Sequence, residues 1–418
     1  MLITHSAILL MDKLLNYINS LFIPFHTSLK KKSNIVYIVR STSLGDFTVA
    51  LPFIASVLKE SHEVRLLLIS RFGNVGVTIL PHLRECIATI EPFSFRSLYQ
   101  QRALLGINRT EKIPGKVLFA AQSGVNSVSK LKYLFVIRSM LGTQIPIIGL
   151  GKSQQLRTHD QCEAKPDEMS VNVALAPFIA CGITPKASRD DCKKLLAITD
   201  KENDEVDQTL NRLRVKYIDS PGIAFYVHAK DKRKRWPLDR FITVARKILD
   251  DYDQNIVLIG GSEDRDISEA VARELPADRV IVVAGLLSVR GTLALLSRCN
   301  LFVGNDGSPT HMAAIQGCRC VTIYCNWEVA GFWEPIAAPA SVSLRPVWST
   351  ERYKENFGIE NIPIDGVVNA VKTFLSSSTI EPVHRVEYYD SGVCVSKQII
   401  TERVLVDEIV PLTRKNIF

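Results

Sequence analysis

No CxxC pair occurs in the 418-residue sequence, although it holds nine cysteines. Their number is odd and their spacing scattered, so neither a zinc site nor a disulfide framework is indicated. Reduced thiols in a cytosolic protein are expected. An uninterrupted apolar run of membrane length is also missing: the apolar start from Leu2 to Phe25 is broken by Asp12, Lys13 and Asn16. A basic start is lacking too, and the cluster Lys30-Lys31-Lys32 follows the apolar stretch where a signal peptide would have it first. No solenoid repeat is visible. With 46% hydrophobic and 22% charged residues, neither disorder nor a coiled coil can dominate.

What is present is an uneven charge. Residues 1–150 hold 17 basic and 7 acidic residues, a net +10, while the rest holds 34 basic and 36 acidic. The first third therefore suits a negatively charged partner. Leu10, Leu14, Leu15, Ile18, Leu21 and Phe22 recur at helical spacing ahead of the lysine cluster. This fits an interfacial helix on a membrane surface, or equally a helix packed on its own domain or a poorly ordered extension.

From Ile35 short apolar runs alternate with helical periodicity. Ile35–Arg40, Val64–Ile69, Lys116–Ala121 and Ile145–Leu150 read as strands, and Phe47–Lys59, with Pro52 near its first turn, and Leu131–Met140 as helices. A second series begins near Gly222. Its strands are Ile223–Val227, Ile256–Ile259, Val280–Val283, Leu301–Val303 and Cys320–Tyr324. Its helices are Leu238–Leu249, Asp264–Glu274, Val289–Ser297, Ser308–Gln316 and Ile364–Leu375. Two doubly wound α/β halves follow, with ligands expected at the carboxyl ends of their strands. The expected boundaries are an extension over 1–33, domains over 34–200 and 201–375, and a tail or small β appendage over 376–418.

Four strand-end loops carry the chemistry. The first, Arg40–Asp46, has a turn glycine, Gly45, and a carboxylate that either caps a helix or accepts a hydroxyl proton. In the second, His228–Pro237, five of the six residues Lys230–Arg235 are basic, and Pro237 is placed to begin a helix. A bare charge run is usually a solvated loop; at a strand end it suits a phosphate leaving group. The third is Gly260-Gly-Ser-Glu-Asp264, where Glu263 could bind ribose hydroxyls and Ser262 or Asp264 could cap a helix. The fourth, Gly304–His311, leads into a helix whose amino end suits phosphate; Asp306 is a candidate cap and His311 lies one turn in.

The ordered series IVRSTSLGDFTVALP, VHAKDKRKRWPLDRF, IVLIGGSED, AGLLSVRGTLALLSRCNLFVGNDGSPTHMAA and Trp333-Glu334-Pro335 resembles glycosyltransferase family 9, the lipopolysaccharide heptosyltransferase family, from about Ile35 to Leu375. The resemblance implies a GT-B fold, two Rossmann-like domains facing a central cleft. The acceptor would lie on the first and the nucleotide-sugar on the second. It implies inverting, metal-independent heptose transfer, usually from ADP-heptose, with no further cofactor. Asp46 matches the family's general base and Lys234 its phosphate-binding lysine. Glu263 matches the ribose ligand, and Asp306, Gly307, Ser308 and His311 the phosphate loop. Ser43, Gly45, His228, Lys230 and Lys232 complete the expected substrate-binding set.

The chain departs from the family pattern in three places. Gly307-Ser308 inverts the usual order, Lys230-Asp231-Lys232 stands where Ser or Thr is usual, and Tyr324-Cys-Asn-Trp327 replaces a Gly-Pro-type turn. Asp251-Tyr-Asp253 and Asp264-Arg-Asp266 read as surface residues rather than metal ligands. An epimerase or hydrolase on the same fold, or a non-catalytic nucleotide-sugar or phosphoglycan binder, stays open. Nucleic acid does not fit, because the basic residues lack interleaved aromatics. The charge asymmetry suits an anionic glycolipid acceptor, with the protein cytoplasmic or peripheral on the inner membrane.

Overall fold

The computed structural model describes residues 35–41, 44–59, 63–69, 75–90, 116–119, 147–148, 189–215, 222–325, 334–335, 337–347, 358–376 and 383–400. The expected helices over 7–22 and 131–140 lie outside them. The chain divides between Leu195 and Leu196 into two compact units.

In the first unit, β1 (Ile35–Ser41) is followed by α1 (Leu44–Lys59), β2 (Glu63–Ile69), α2 (Val75–Ile79), β3 (Ile87–Ile90), β4 (Lys116–Phe119), β5 (Ile147–Ile148) and α3 (Arg189–Leu196). The strands form one parallel sheet in the order β3-β2-β1-β4-β5. The chain winds one way from β1 to β3 and then crosses back, so β1 and β4 flank the point where the direction reverses. Phe47, Leu51, Ile54 and Ala55 are buried along α1 at helical spacing. This helix starts three residues earlier than its periodicity suggests, because Leu44 and Gly45 already join its first turn. Pro52 thus lies in the interior, where it leaves the Thr48 carbonyl without its helical donor.

The second unit continues with α4 (Asp200–Arg212), β6 (Ile223–Tyr226), α5 (Leu238–Asp251), β7 (Ile256–Leu258), α6 (Arg265–Arg273), β8 (Val280–Val282), α7 (Val289–Leu296), β9 (Leu301–Asn305), α8 (Ser308–Gln316), β10 (Arg319–Ile323), β11 (Ser341–Pro346), α9 (Ile364–Leu375), β12 (His384–Asp390) and β13 (Val393–Ile400). Eight strands run in the order β13-β12-β11-β10-β9-β6-β7-β8, parallel except for the antiparallel pair β12–β13. Residues 384–400 therefore extend the main sheet. The strands β6, β7 and β9 are buried along their whole length, which is why they read as unbroken apolar runs. Phe241, Val244, Ala245, Ile248 and Leu249 form the buried stripe of α5, which packs on α9. Trp236 anchors this layer: its ring meets Phe241 edge-on at 5.0 Å, and its Nε1–H donates to the Ile362 carbonyl at 3.0 Å. Pro237 is the residue before α5 rather than its first, since its ψ of 136° is extended.

Helix α4 packs on α7, and a buried ion pair links the two. Arg290 is buried; it binds Glu202 at 2.7 Å and also the carbonyls of Leu196 and Ala197. Arg290 and hydrogen bonds from Thr199 hold the Glu202 carboxyl at about 2, against an ordinary 4.5. A depressed folded-state pKa gives stability that is present above the unfolded value and lost as pH falls towards the folded one. The urea midpoint is therefore expected to fall between pH 4.5 and about 2, with a Glu202 component that is absent from Glu202→Gln. An identical acid limb in that variant would contradict the assignment.

Among the described residues, the seven cysteines Cys86, Cys192, Cys299, Cys318, Cys320, Cys325 and Cys394 are free thiols. Burial pushes Cys299 up to about 12, so it is inert at neutral pH. No helix among those residues is long and apolar enough to cross a membrane.

Candidate active site

The reversal of winding in the second sheet falls between β6 and β9, which pair directly. Loops leaving two such strands diverge and open a crevice at their carboxyl ends. The basic loop leaves β6, and the Gly304–His311 loop leaves β9. Lys234 of the first reaches the Asp306 carboxylate of the second in a close ion pair. The Asp306 side chain is 7% exposed and that of Lys234 25%, so the ammonium keeps a solvent-facing side.

Asp306 is consequently not a helix cap. The residue before α8 is Gly307, which makes no side-chain cap, and the carboxylate is turned to Lys234 instead. Gly307 is fully extended, with φ of −179°, and a Cβ there would come within 3.1 Å of the Tyr226 ring. The amino end of α8 therefore sits close beside an aromatic wall. Ser308 opens the helix half-buried, and His311 is buried in its first turn. A helix of this length presents backbone N–H groups and the positive end of its dipole there.

Asn305 holds the two loops in register. It is fully buried; its Oδ1 accepts the Trp236 N–H at 3.0 Å, and its Nδ2 donates to the carbonyls of Val227 and His228. The basic loop is folded by its own acid: Asp231 accepts from the Arg233 backbone N–H at 3.0 Å, and the Arg233 guanidinium holds its carboxyl below the usual range. Lys230 and Lys232 are exposed on this turn.

The loop after β7 adds a third wall. Gly260 has φ of 157°, a conformation suited to glycine, and a Cβ there would strike Asp264 at 2.6 Å. Glu263 is exposed at the turn, whereas Asp264 is buried. This corrects the reading of Asp264 as a surface residue. Its side chain lies under the turn against His228, a partner that the local sequence does not reveal. Asp253 is fully exposed and Asp251 pairs with Lys372, as expected of surface groups. Burial, then the charges of Asp264 and Glu263, push the Tyr226 phenol well above its ordinary value, so it stays neutral between the loops.

In the first unit Gly45 is buried and Asp46 is the third residue of α1, directly after β1 at that sheet's own winding reversal. Ser43 lies outside the described residues. No cluster of three or more His, Cys, Asp or Glu side chains that could hold a metal occurs among the described residues.

Two Rossmann-like units, the second with its Lys234–Asp306 pair at a winding reversal, give the chain the fold of GT-B glycosyltransferases. Residues 164–362 match the model of glycosyltransferase family 9 (heptosyltransferase), so this part of the chain is similar to that family. Solved structures with the same fold include a glycosyl transferase family 9 protein from Veillonella parvula. It is 16% identical at a TM-score of 0.64, covering 84% of this chain and all of the other. The ADP-heptose lps heptosyltransferase II of E. coli follows at 16% identity and a TM-score of 0.55, covering 82% and 98%. The E. coli heptosyltransferase WaaC, solved with ADP, matches at 16% and 0.52, covering 82% and 97%. No curated protein matches by sequence.

Proposed function

We propose that the protein transfers a heptose from ADP-heptose, with inversion and without a metal, to a hydroxyl of a lipopolysaccharide core or related anionic surface glycan. The meeting of Lys234 and Asp306 at the amino end of α8 carries this reading. It puts a cation and backbone donors where the second sheet reverses its winding, a place suited to a diphosphate. The second unit would hold the nucleotide-sugar, with Glu263 on the ribose, and the first the acceptor. The relatives in E. coli are described as using ADP-heptose or binding ADP, which supports the same donor here.

In the proposed step Asp46 takes the proton of the acceptor hydroxyl as its oxygen bonds to the anomeric carbon. The bond from that carbon to the phosphate oxygen breaks, and the electron pair leaves with ADP. Lys234 and the α8 amides stabilise the charge that develops. Asp306 aims the ammonium through their ion pair. The basic first third of the chain suits an anionic lipid-linked acceptor and a peripheral place at the inner membrane.

The test is calorimetric titration with ADP, followed by turnover of ADP-heptose with a core-glycan acceptor. Lys234→Ala is expected to weaken ADP binding by about tenfold or more, the worth of a charge-assisted hydrogen bond. Turnover is expected to survive a chelator. Unaltered ADP affinity in Lys234→Ala, or activity abolished by chelation, would overturn the assignment.

A further inference from the structure

Asp264 has no place in the reaction just described, yet its side chain is only 7% exposed. One oxygen, Oδ2, accepts the Gly261 N–H at 2.9 Å and closes the turn that carries Glu263. The other, Oδ1, lies against Nδ1 of His228, at the end of β6. Both atoms are buried, and apart from this ion-pair contact neither has a hydrogen-bond partner among the described residues. Oδ2 thus serves as the capping-box acceptor of the short 3-10 turn Ser262–Asp264 that leads into α6, and this role does not account for Oδ1. The backbone of the turn is hemmed in as well: a Cβ on Gly285 would come within 2.8 Å of the Ser262 Cα.

The chemistry of the pair is constrained. A carboxylate only accepts, so this pairing favours the His228 tautomer that carries its proton on Nδ1, facing Asp264. A neutral imidazole protonated at Nδ1 has its lone pair on Nε2, which then accepts hydrogen bonds. We infer that Asp264 is a positioning residue of the donor site. It fixes His228 with Nε2 as an acceptor and sets the Glu263 turn, so that both meet hydroxyl groups of the nucleotide-sugar in one arrangement. This rests on the donor-site reading above. It assigns His228 to a ribose or sugar hydroxyl, not to phosphate.

Asparagine at 264 separates this role from mere packing. It has the shape of aspartate but offers one acceptor and one donor, whereas the site presents two donors. If its oxygen keeps the Gly261 N–H, its NH2 faces Nδ1 and drives the proton to Nε2. Asp264→Asn is expected to raise the Kd for ADP and the KM for ADP-heptose about tenfold, at little change in kcat. Inhibition by inorganic pyrophosphate, which has no hydroxyl groups, is expected to change less than twofold. Nitrogen-15 spectra of His228 are expected to move from the Nδ1–H to the Nε2–H pattern. His228→Asn keeps a donor towards Asp264 but has no Nε2; the same loss against ADP is expected there, which covers the case in which Asp264→Asn folds poorly. Wild-type ADP affinity in both variants, or an equal loss for ADP and pyrophosphate, would overturn the inference alone. An unsubstituted protein that binds neither ADP nor pyrophosphate would overturn the donor-site reading and this inference with it.

Discussion

Asp46→Asn is expected to lower kcat by about 10²–10⁴-fold, the usual contribution of a positioned general base, while leaving donor affinity within twofold. The separation follows from the architecture: Asp46 belongs to α1 of the first unit, and the groups assigned to the nucleotide all belong to the second. Asparagine retains the shape and the helix-start preference of aspartate, so the loss reports the missing base and not a frayed α1. The measurement is steady-state turnover beside ADP titration. Full turnover in Asp46→Asn would remove the residue from the chemistry; a parallel loss of ADP affinity would show that it acts on folding or domain geometry.

Glu334→Ala is expected to destabilise the second unit by about 3–5 kcal/mol, the range for leaving one member of a buried ion pair without its partner. Glu334 receives the Arg345 Nε–H at 2.8 Å, with side chains 1% and 3% exposed. The Arg345 guanidinium also sits 4.1 Å above the centre of the Tyr324 ring, at the end of β10. Removing the carboxylate strands a cation between two strands. The double variant Glu334→Leu, Arg345→Met removes both charges together and is expected to recover most of the loss. Urea melts of the three proteins decide the matter. A single variant within 1 kcal/mol of the parent would show that water reaches Arg345.

The alternation of strand and helix was plain from the apolar runs and helical periodicity along the chain. Ser308–Gln316 and Ile364–Leu375 begin and end where their periodicity and flanking Gly and Pro residues place them. The helices over 189–212 escaped that reading. In Asp200–Arg212 only Val206, Thr209 and Leu210 join Glu202 in the buried set, and the helix is held by Arg290 and Arg298, which lie far along the chain. Strand Ser341–Pro346 escaped for a related reason: Ser341, Ser343 and Arg345 are buried in it, so no apolar run announces it. At the site, the residue types and their strand-end positions were legible, but the pairings were not. Whether Asp306 caps a helix or holds Lys234 depends on β9 lying beside β6, and this is a property of sheet order. Asp264 looked like a surface acid because its partner, His228, lies on a different strand end.

The adjacency of β6 and β9 also fixes when the protein can work during its own synthesis. Lys234 and Asp306 are 72 residues apart in the chain, and the strands carrying them pair only after β7, β8 and their helices have been made. Such nonlocal pairing is slow to form compared with a hairpin like β12–β13. A ribosome-bound chain that ends before β9 has emerged therefore has the lysine but not the Asp306 and α8 amides that complete the proposed phosphate site. Nucleotide added to a series of stalled chains should leave the shorter ones unprotected and guard from proteolysis only those that extend beyond α8, since a ligand stabilises only the folded form that binds it.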